Sequence, residues 1–273
     1  MAEAVVTPST TRIALGIEYD GSAFSGWQAQ LSPQLRTVQE SLQQALSRVA
    51  DHPILVHCAG RTDTGVHASG QVVHFDTLAT RPLKAWVLGT NSNVDPHIAV
   101  RWAAEVPVEF HARFSAIRRR YRYLISNTAL RPALYGHFLT HHRQSLDAAA
   151  MHAAGQHLLG ENDFTSFRGA SCQSRTAMRN ITELSVRRHE DLVIVEIEAN
   201  AFLLHMVRNI VGTLFEIGEG RKPPGWAAEL LALKDRKRAA PTAPPQGLSL
   251  IRVTYPERFA IPADKIPTSP AQI

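Results

Sequence analysis

The sequence predicts an α+β fold, in which two similar mixed halves form a largely antiparallel central sheet with helices packed on one face. Three observations carry this expectation. Stretches with apolar residues at period two alternate with stretches at the helical period along the chain. Residues 181–188 and 192–199 both read as strands and flank only His189, Glu190 and Asp191, which is hairpin spacing. The strand–helix order of the first hundred residues also returns after residue 118, without a sequence repeat. Hairpins beside helices favour an antiparallel sheet with one covered face.

In chain order, residues 12–21 (RIALGIEYDG) alternate and end at a turn signal, predicting a strand. Thr37 opens a capping box with Glu40. Val38, Leu42, Ala45, Leu46 and Val49 then form one apolar helical face. Residues 54–58 and 70–75 predict strands joined by a loop over 60–69, Pro82 starts a helix to about Gly89, and 98–103 predict a fourth strand. In the second half, 118–126 predict a strand, and Ser145 caps a helix that stops at Gly160. The hairpin follows, then helices over 202–218 and 226–233 and a last strand over 248–255. The halves are 12–105 and 106–259, with tails at 1–11 and 260–273.

Composition narrows the class. At about 150 residues per domain, 273 residues make two domains or one large one. With 44% apolar and 19% charged residues and a mean hydropathy of −0.13, disordered, collagen-like and coiled-coil chains are excluded. No stretch reaches the ~18 uninterrupted apolar residues of a membrane span; the nearest, 201–218, is broken by His205, Arg208, Asn209 and Glu216. Residues 1–11 lack the charge and apolar stretch of a signal peptide. Cys58 and Cys172 cannot build a disulfide framework, and they and the 13 histidines show no zinc spacing. Buried thiols, no metal and a cytoplasmic setting are the resulting expectations.

The net charge is +5, and 24 of the 29 basic residues are arginines, whose planar fork suits phosphate. Arginine-rich codon usage explains that ratio equally well. Residues 101–143, however, hold eight arginines against Glu105 and Glu109, and such a concentration points to an anionic partner, RNA or DNA first.

The loop over 58–70, CAGRTDTGVHASG, holds one acid two residues from one arginine, among Gly60, Gly65 and Gly70. Glycines let a ligand approach closely, and an arginine keeps a neighbouring carboxylate ionised, fit to act as nucleophile or base. A structural Asp–Arg turn is the alternative. Asp63-Thr64-Gly65 also matches the aspartic protease triplet, but no second copy supplies the facing carboxylate and Arg61 opposes a shared proton.

GRTDTGVHA (60–68) resembles the catalytic loop of the tRNA pseudouridine synthase TruA family. Five further blocks resemble it in family order: YDGSAFSGWQ (19–28) with TVQ (37–39), FHARFS (110–115) with RRYRY (119–123), DFTSF (163–167), FLLHMVRNIVG (202–212) and APPQGL (243–248). Departures fall at Thr64, Asn162 and Ser249, where the family favours alanine, histidine and a larger residue; they bear on fine specificity.

The resemblance implies the pseudouridine synthase fold and isomerisation of uridine to pseudouridine at positions 38, 39 and 40 of the tRNA anticodon stem-loop. It implies no cofactor, and a homodimer. Asp63 would be the nucleophile, on a nucleotide drawn out of its stack. Arg61 would wedge into the stem, and Tyr121 would stack on the uracil or accept the C5 proton. Arg208 would ion-pair with Asp63, and Leu248 would line the uracil pocket. Alternation puts residues 119, 121 and 123 on one face and 120 and 122 on the other. Arg119, Arg120 and Arg122 are then phosphate contacts or a solvated face. His205 either meets RNA or fills a core site, Tyr121 and Leu248 could instead be core residues, and Arg208 could snorkel. A non-catalytic RNA-binding module is the competing function; it needs the arginines but not Asp63.

Overall fold

The computed structural model of the chain describes residues 10–28 and 35–262, so most of both expected tails lies outside the described residues. Its elements run β1 (Thr11–Tyr19), α1 (Val38–Ala50), β2 (His57–Cys58), β3 (His67–Thr77), α2 (Leu83–Asn91), β4 (Ile98–Glu105), β5 (Arg118–Ser126), β6 (Thr140–His141), α3 (Ala148–Gln156), β7 (Gly160–Asp163), β8 (Met178–His189), β9 (Leu192–Ala199), α4 (Met206–Gly218), α5 (Trp226–Leu233) and β10 (Leu248–Thr254). One sheet has the order β4-β1-β3-β10-β5-β9-β8-β7, with β2 added on β3 and β6 on β5. The ladders are antiparallel except β3–β10 and β5–β6. Each half centres on its own first strand: β1 sits between β3 and β4, and β5 between β9 and β10.

Helices α2, α3 and α4 pack on one face. Register sets Ile13, Leu15 and Ile17 beside Phe75, Val73 and Gln71, and the Trp86 ring of α2 meets Phe75 at 5.1 Å. In the second half Tyr123 faces Phe215 of α4 at 6.4 Å, while Leu184 of β8 meets α3 at Gly155. Helix α4 is the most enclosed: of its residues only Arg208 and Glu216 escape full burial. A helix apolar nearly all round belongs in a core, so the charge at Arg208 calls for a local reason.

The Thr37 half of the capping box forms, with Thr37 Oγ1 accepting from the Glu40 N–H at 3.3 Å. Four readings need correction. Of the strand over 54–58 only His57–Cys58 joins the ladder. The Ile54 and Val56 amides donate instead to Ser47 Oγ (2.9 Å) and Gln43 Oε1 (3.0 Å), and Gln39 Nε2 donates to the Val56 carbonyl (3.2 Å). These side chains at 39, 43 and 47 line one stripe of α1 and act as the missing neighbour strand. Helix α3 is capped by Asp147 rather than Ser145, through the Ala149 and Ala150 amides, and ends before the expected Gly160. Helix α4 begins at Met206, four residues later than expected, because His205 takes a left-handed backbone (φ 59°). Both cysteines are half-buried rather than buried.

On the sheet's other face His74 (2% exposed) stacks on His57 at 5.0 Å and meets His111 at 4.6 Å. Its Nδ1 accepts the Ala112 N–H, so it ties the crossover between the halves to β3. Burial, helped by the neighbouring His111 and Arg12, pushes His74 down to about 3. The depressed value means that neutral His74 stabilises the fold above its unfolded value near 6.5, and that this contribution drains away as pH falls toward 3. Stability is expected to drop by about 2 kcal/mol between pH 7 and pH 5 from this group. Urea unfolding at both pH values checks this; His74→Asn, which retains an acceptor, should flatten the dependence, and an unchanged slope in that variant would assign the effect elsewhere.

Candidate active site

The loop between β2 and β3 is fixed from three sides. Gln71 (fully buried) takes both backbone groups of Gly60, accepting its N–H at 3.3 Å and donating to its carbonyl at 2.6 Å. Thr62 shares a 2.8 Å hydrogen bond with the Tyr19 hydroxyl, and its carbonyl accepts the Trp27 N–H at 3.0 Å. Gly26 backs the turn: a Cβ there would stand 3.0 Å from the Thr62 carbonyl oxygen, and its φ of +90° suits only glycine. The Trp27 carbonyl in turn accepts from Gln39 at the start of α1. The loop that carries Asp63 is thus pinned to β1, β3 and α1 at once.

Asp63 remains partly exposed, and its Oδ2 accepts a hydrogen bond from Arg208 Nη1 at 3.3 Å. The expected ion pair therefore forms. Its second contact answers the question left open at His205: Nε2 lies 3.4 Å from the same Oδ2, so the ring, 35% exposed, sits at the site and not in the core. Arg208 is oriented by a further bond from Nε to the Ala243 carbonyl at 2.8 Å. The Tyr121 hydroxyl lies 3.7 Å from where a Cβ on Gly60 would stand, and its ring meets Phe202 edge-on at 5.0 Å. Burial pushes the Tyr121 phenol well above its ordinary value, with nearby Asp63 adding and Arg119 opposing. Leu248 (5% exposed) pairs with Tyr123 on the ladder, so it shares the Tyr121 face. Arg61 is exposed on the loop and ion-pairs with no carboxylate among the described residues. The charge partner of Asp63 is Arg208, not the neighbouring Arg61.

The remaining arginines are not brought to Asp63. Arg119 (9% exposed) donates to the carbonyls of Ala59, Arg113, Ala116 and Asn200, so its guanidinium holds backbone rather than phosphate. Arg120 and Arg122 point from the opposite face of β5, where register sets them against Glu198 and Glu196 of β9. Arg120 pairs with Glu183, Glu196 and Glu198, and Arg122 with Glu196 at 2.6 Å. Burial alone would raise Glu196, but bonds from Arg122 with support from Arg187 and Arg120 hold it below the usual carboxylate range. Arg122→Ala is expected to cost about 2 kcal/mol, because it leaves Glu196 under-compensated in a largely buried position. The salt dependence of RNA binding should not change; a slope shallower by about one unit would put Arg122 on a phosphate instead.

The sequence reading missed Gln71, Thr62 and Ala243 as supports. Gln71 carried a usable signal, since a lone amide between apolar strand residues must find partners; Ala243 carried none.

A profile described as tRNA pseudouridine synthase matches the chain over residues 16–115 and 154–256. The chain belongs to the tRNA pseudouridine synthase family. Among curated relatives, tRNA pseudouridine synthase A of Citrobacter koseri is 57% identical over 98% of this chain and 97% of its own. The protein of the same name from Escherichia fergusonii is 58% identical over 93% of this chain and 94% of its own, and that from Aliivibrio fischeri 55% over 95% and 97%. In this chain Asp63, His205, Arg208 and Leu248 fall inside the matched stretches, whereas Tyr121 falls between them. Among the described residues no helix is long and apolar enough to cross a membrane.

Proposed function

We propose that this chain isomerises uridine to pseudouridine at positions 38, 39 and 40 of the tRNA anticodon stem-loop, with Asp63 as the nucleophile. The observation that carries the reading is the contact of Asp63 with Arg208 across two family-matched stretches. A carboxylate that bonds a guanidinium through one oxygen keeps the lone pairs of the other for attack. One oxygen bonds to uracil C6 or ribose C1′, the N1–C1′ bond breaks, and the base turns. C5 then bonds to C1′, the C5 proton leaves, N1 takes a proton, and the carboxylate is released. Atoms and electrons balance without a cofactor.

A stacked uridine is out of reach of any side chain, so the nucleotide is extruded. Arg61, exposed on the loop, fills the gap in this reading. Tyr121 and Leu248 line the base pocket from one sheet face, and the raised Tyr121 phenol meets the base as a neutral hydroxyl. Residues 12–105 and 106–259 act as two halves that meet where Asp63 bonds Arg208. The enzyme works in the cytoplasm as a homodimer, which doubles the +5 charge presented to one tRNA; sedimentation at micromolar concentration tests the dimer.

Transcripts labelled with tritium at uridine C5 test the activity. Release of label is expected on mixing with the chain, up to three equivalents for a tRNA with uridine at all three positions. Tight binding without release would leave an RNA-binding module in its place.

A further inference from the structure

Residues 202–208 bring three side chains to one point. Phe202 abuts Tyr121, while His205, just ahead of α4, and Arg208, in its first turn, reach the same oxygen of Asp63 at 3.4 and 3.3 Å. Asp63 Oδ2 therefore has two nitrogen neighbours, one from the first turn of α4 and one from the residue ahead of it. The arrangement has a backbone cost. His205 holds a left-handed φ of 59°, which non-glycine residues adopt rarely and histidine more readily than most. As the residue ahead of α4 it makes no side-chain cap bond, so capping does not account for its conformation. The ring is also backed closely: the Gly169 N–H donates to the Leu204 carbonyl at 2.8 Å, and a Cβ on Gly169 would lie 3.3 Å from His205 Nδ1. The strained turn and the bare glycine behind it aim the imidazole at the carboxylate.

We propose that His205 is a positioning residue for the nucleophile: together with Arg208 it holds Asp63 Oδ2, so that Oδ1 is the oxygen presented to the nucleotide. The inference rests on the reading of Asp63 given above. A free carboxylate interchanges its oxygens by rotation about Cβ–Cγ, and a single donor does not stop this. The Arg208 hydrogen bond at 3.3 Å and the imidazole edge at 3.4 Å converge on Oδ2 and oppose that rotation, while among the described residues Oδ1 accepts no hydrogen bond. When Oδ1 bonds to carbon, the carboxylate becomes an ester and its negative charge passes to the uracil. Oδ2 is then a carbonyl oxygen facing Arg208 Nη1–H, with His205 Nε2 beside it. When that ester bond breaks, the returning charge develops next to the guanidinium and the imidazole edge, which favours release.

The test compares the wild-type chain, Asp63→Asn, His205→Gly and His205→Gln by single-turnover tritium release, with tRNA Kd and thermal midpoint measured in parallel. Glycine suits a left-handed backbone, so His205→Gly removes the ring without adding strain, and its midpoint should stay within about 3 °C of wild type. Its single-turnover rate is expected to fall about tenfold with tRNA Kd within twofold, and His205→Gln, which places an amide of similar reach beside Oδ2, should recover most of the loss. A rate within twofold of wild type in His205→Gly overturns the proposal. So does a rate loss matched by lost tRNA affinity, or a His205→Gln no faster than His205→Gly. Release by wild type with an unaffected His205→Gly brings down this proposal alone; no release from wild type brings down the underlying reading and this proposal with it.

Discussion

Asp63→Asn and Asp63→Ala are expected to release no tritium from C5-labelled tRNA above background, a loss of at least ~10⁴-fold, or about 5.5 kcal/mol of barrier. Asparagine keeps the shape of the side chain, so the loop, held through Gln71, Thr62 and Gly26 rather than through the carboxylate, should fold as before. The amide oxygen lacks the charge to form the covalent bond and to leave from it. Binding is a separate matter. Asp63 is a small, partly exposed anion in a site for a polyanion, so tRNA affinity should remain within tenfold, ~1.4 kcal/mol. The pair of measurements discriminates sharply: lost turnover with retained binding assigns the chemistry to Asp63, whereas full turnover in Asp63→Ala would remove it from the reaction.

Sequence reading reached this aspartate because the information is local. The loop's glycines, its single acid and the strands on both sides all lie within about a dozen residues. The same holds for the capping box at Thr37 and the ends of β5 and α5, where propensity and spacing decide. What was not legible depended on partners distant in the chain. Alternation already put Arg120 and Arg122 opposite Tyr121, but only the β5–β9 register shows that Glu196 and Glu198 engage them. Residues 54–58 look like a strand because Ile54 and Val56 are buried alternately, yet side chains of α1 take their backbone bonds. Helix α4 was extended too far because Phe202 and Leu203 continue its apolar pattern; the left-handed His205 breaks the helix to serve a site that the pattern does not encode. In each case a tertiary contact overrode a correct local preference.

Removal of Arg208 is expected to have the second largest effect. Its planar head does two things at once: Nε donates to the Ala243 carbonyl at 2.8 Å and Nη1 donates to Asp63 at 3.3 Å. The Ala243 amide returns a bond to the Arg208 carbonyl at 3.1 Å, so residue 243 is gripped by both backbone and side chain of the same residue. Arg208→Met fills similar volume without charge. It should slow single turnover by about 10³-fold, near 4 kcal/mol, because the charge that changes hands at Asp63 loses its strongest fixed counterpart. The stability cost should be nearer 1 kcal/mol, the price of one exchanged hydrogen bond, since the backbone grip on Ala243 survives. Arg208→Lys should fall between, because an ammonium can neutralise Asp63 or bond Ala243 but lacks the fork that does both. Guanidinium ion added at millimolar concentration should partly restore Arg208→Ala and leave Asp63→Ala silent. A rate for Arg208→Met within threefold of wild type would show that the ion pair only braces the fold; a large loss repaired by added guanidinium would show that the charge acts in the reaction itself.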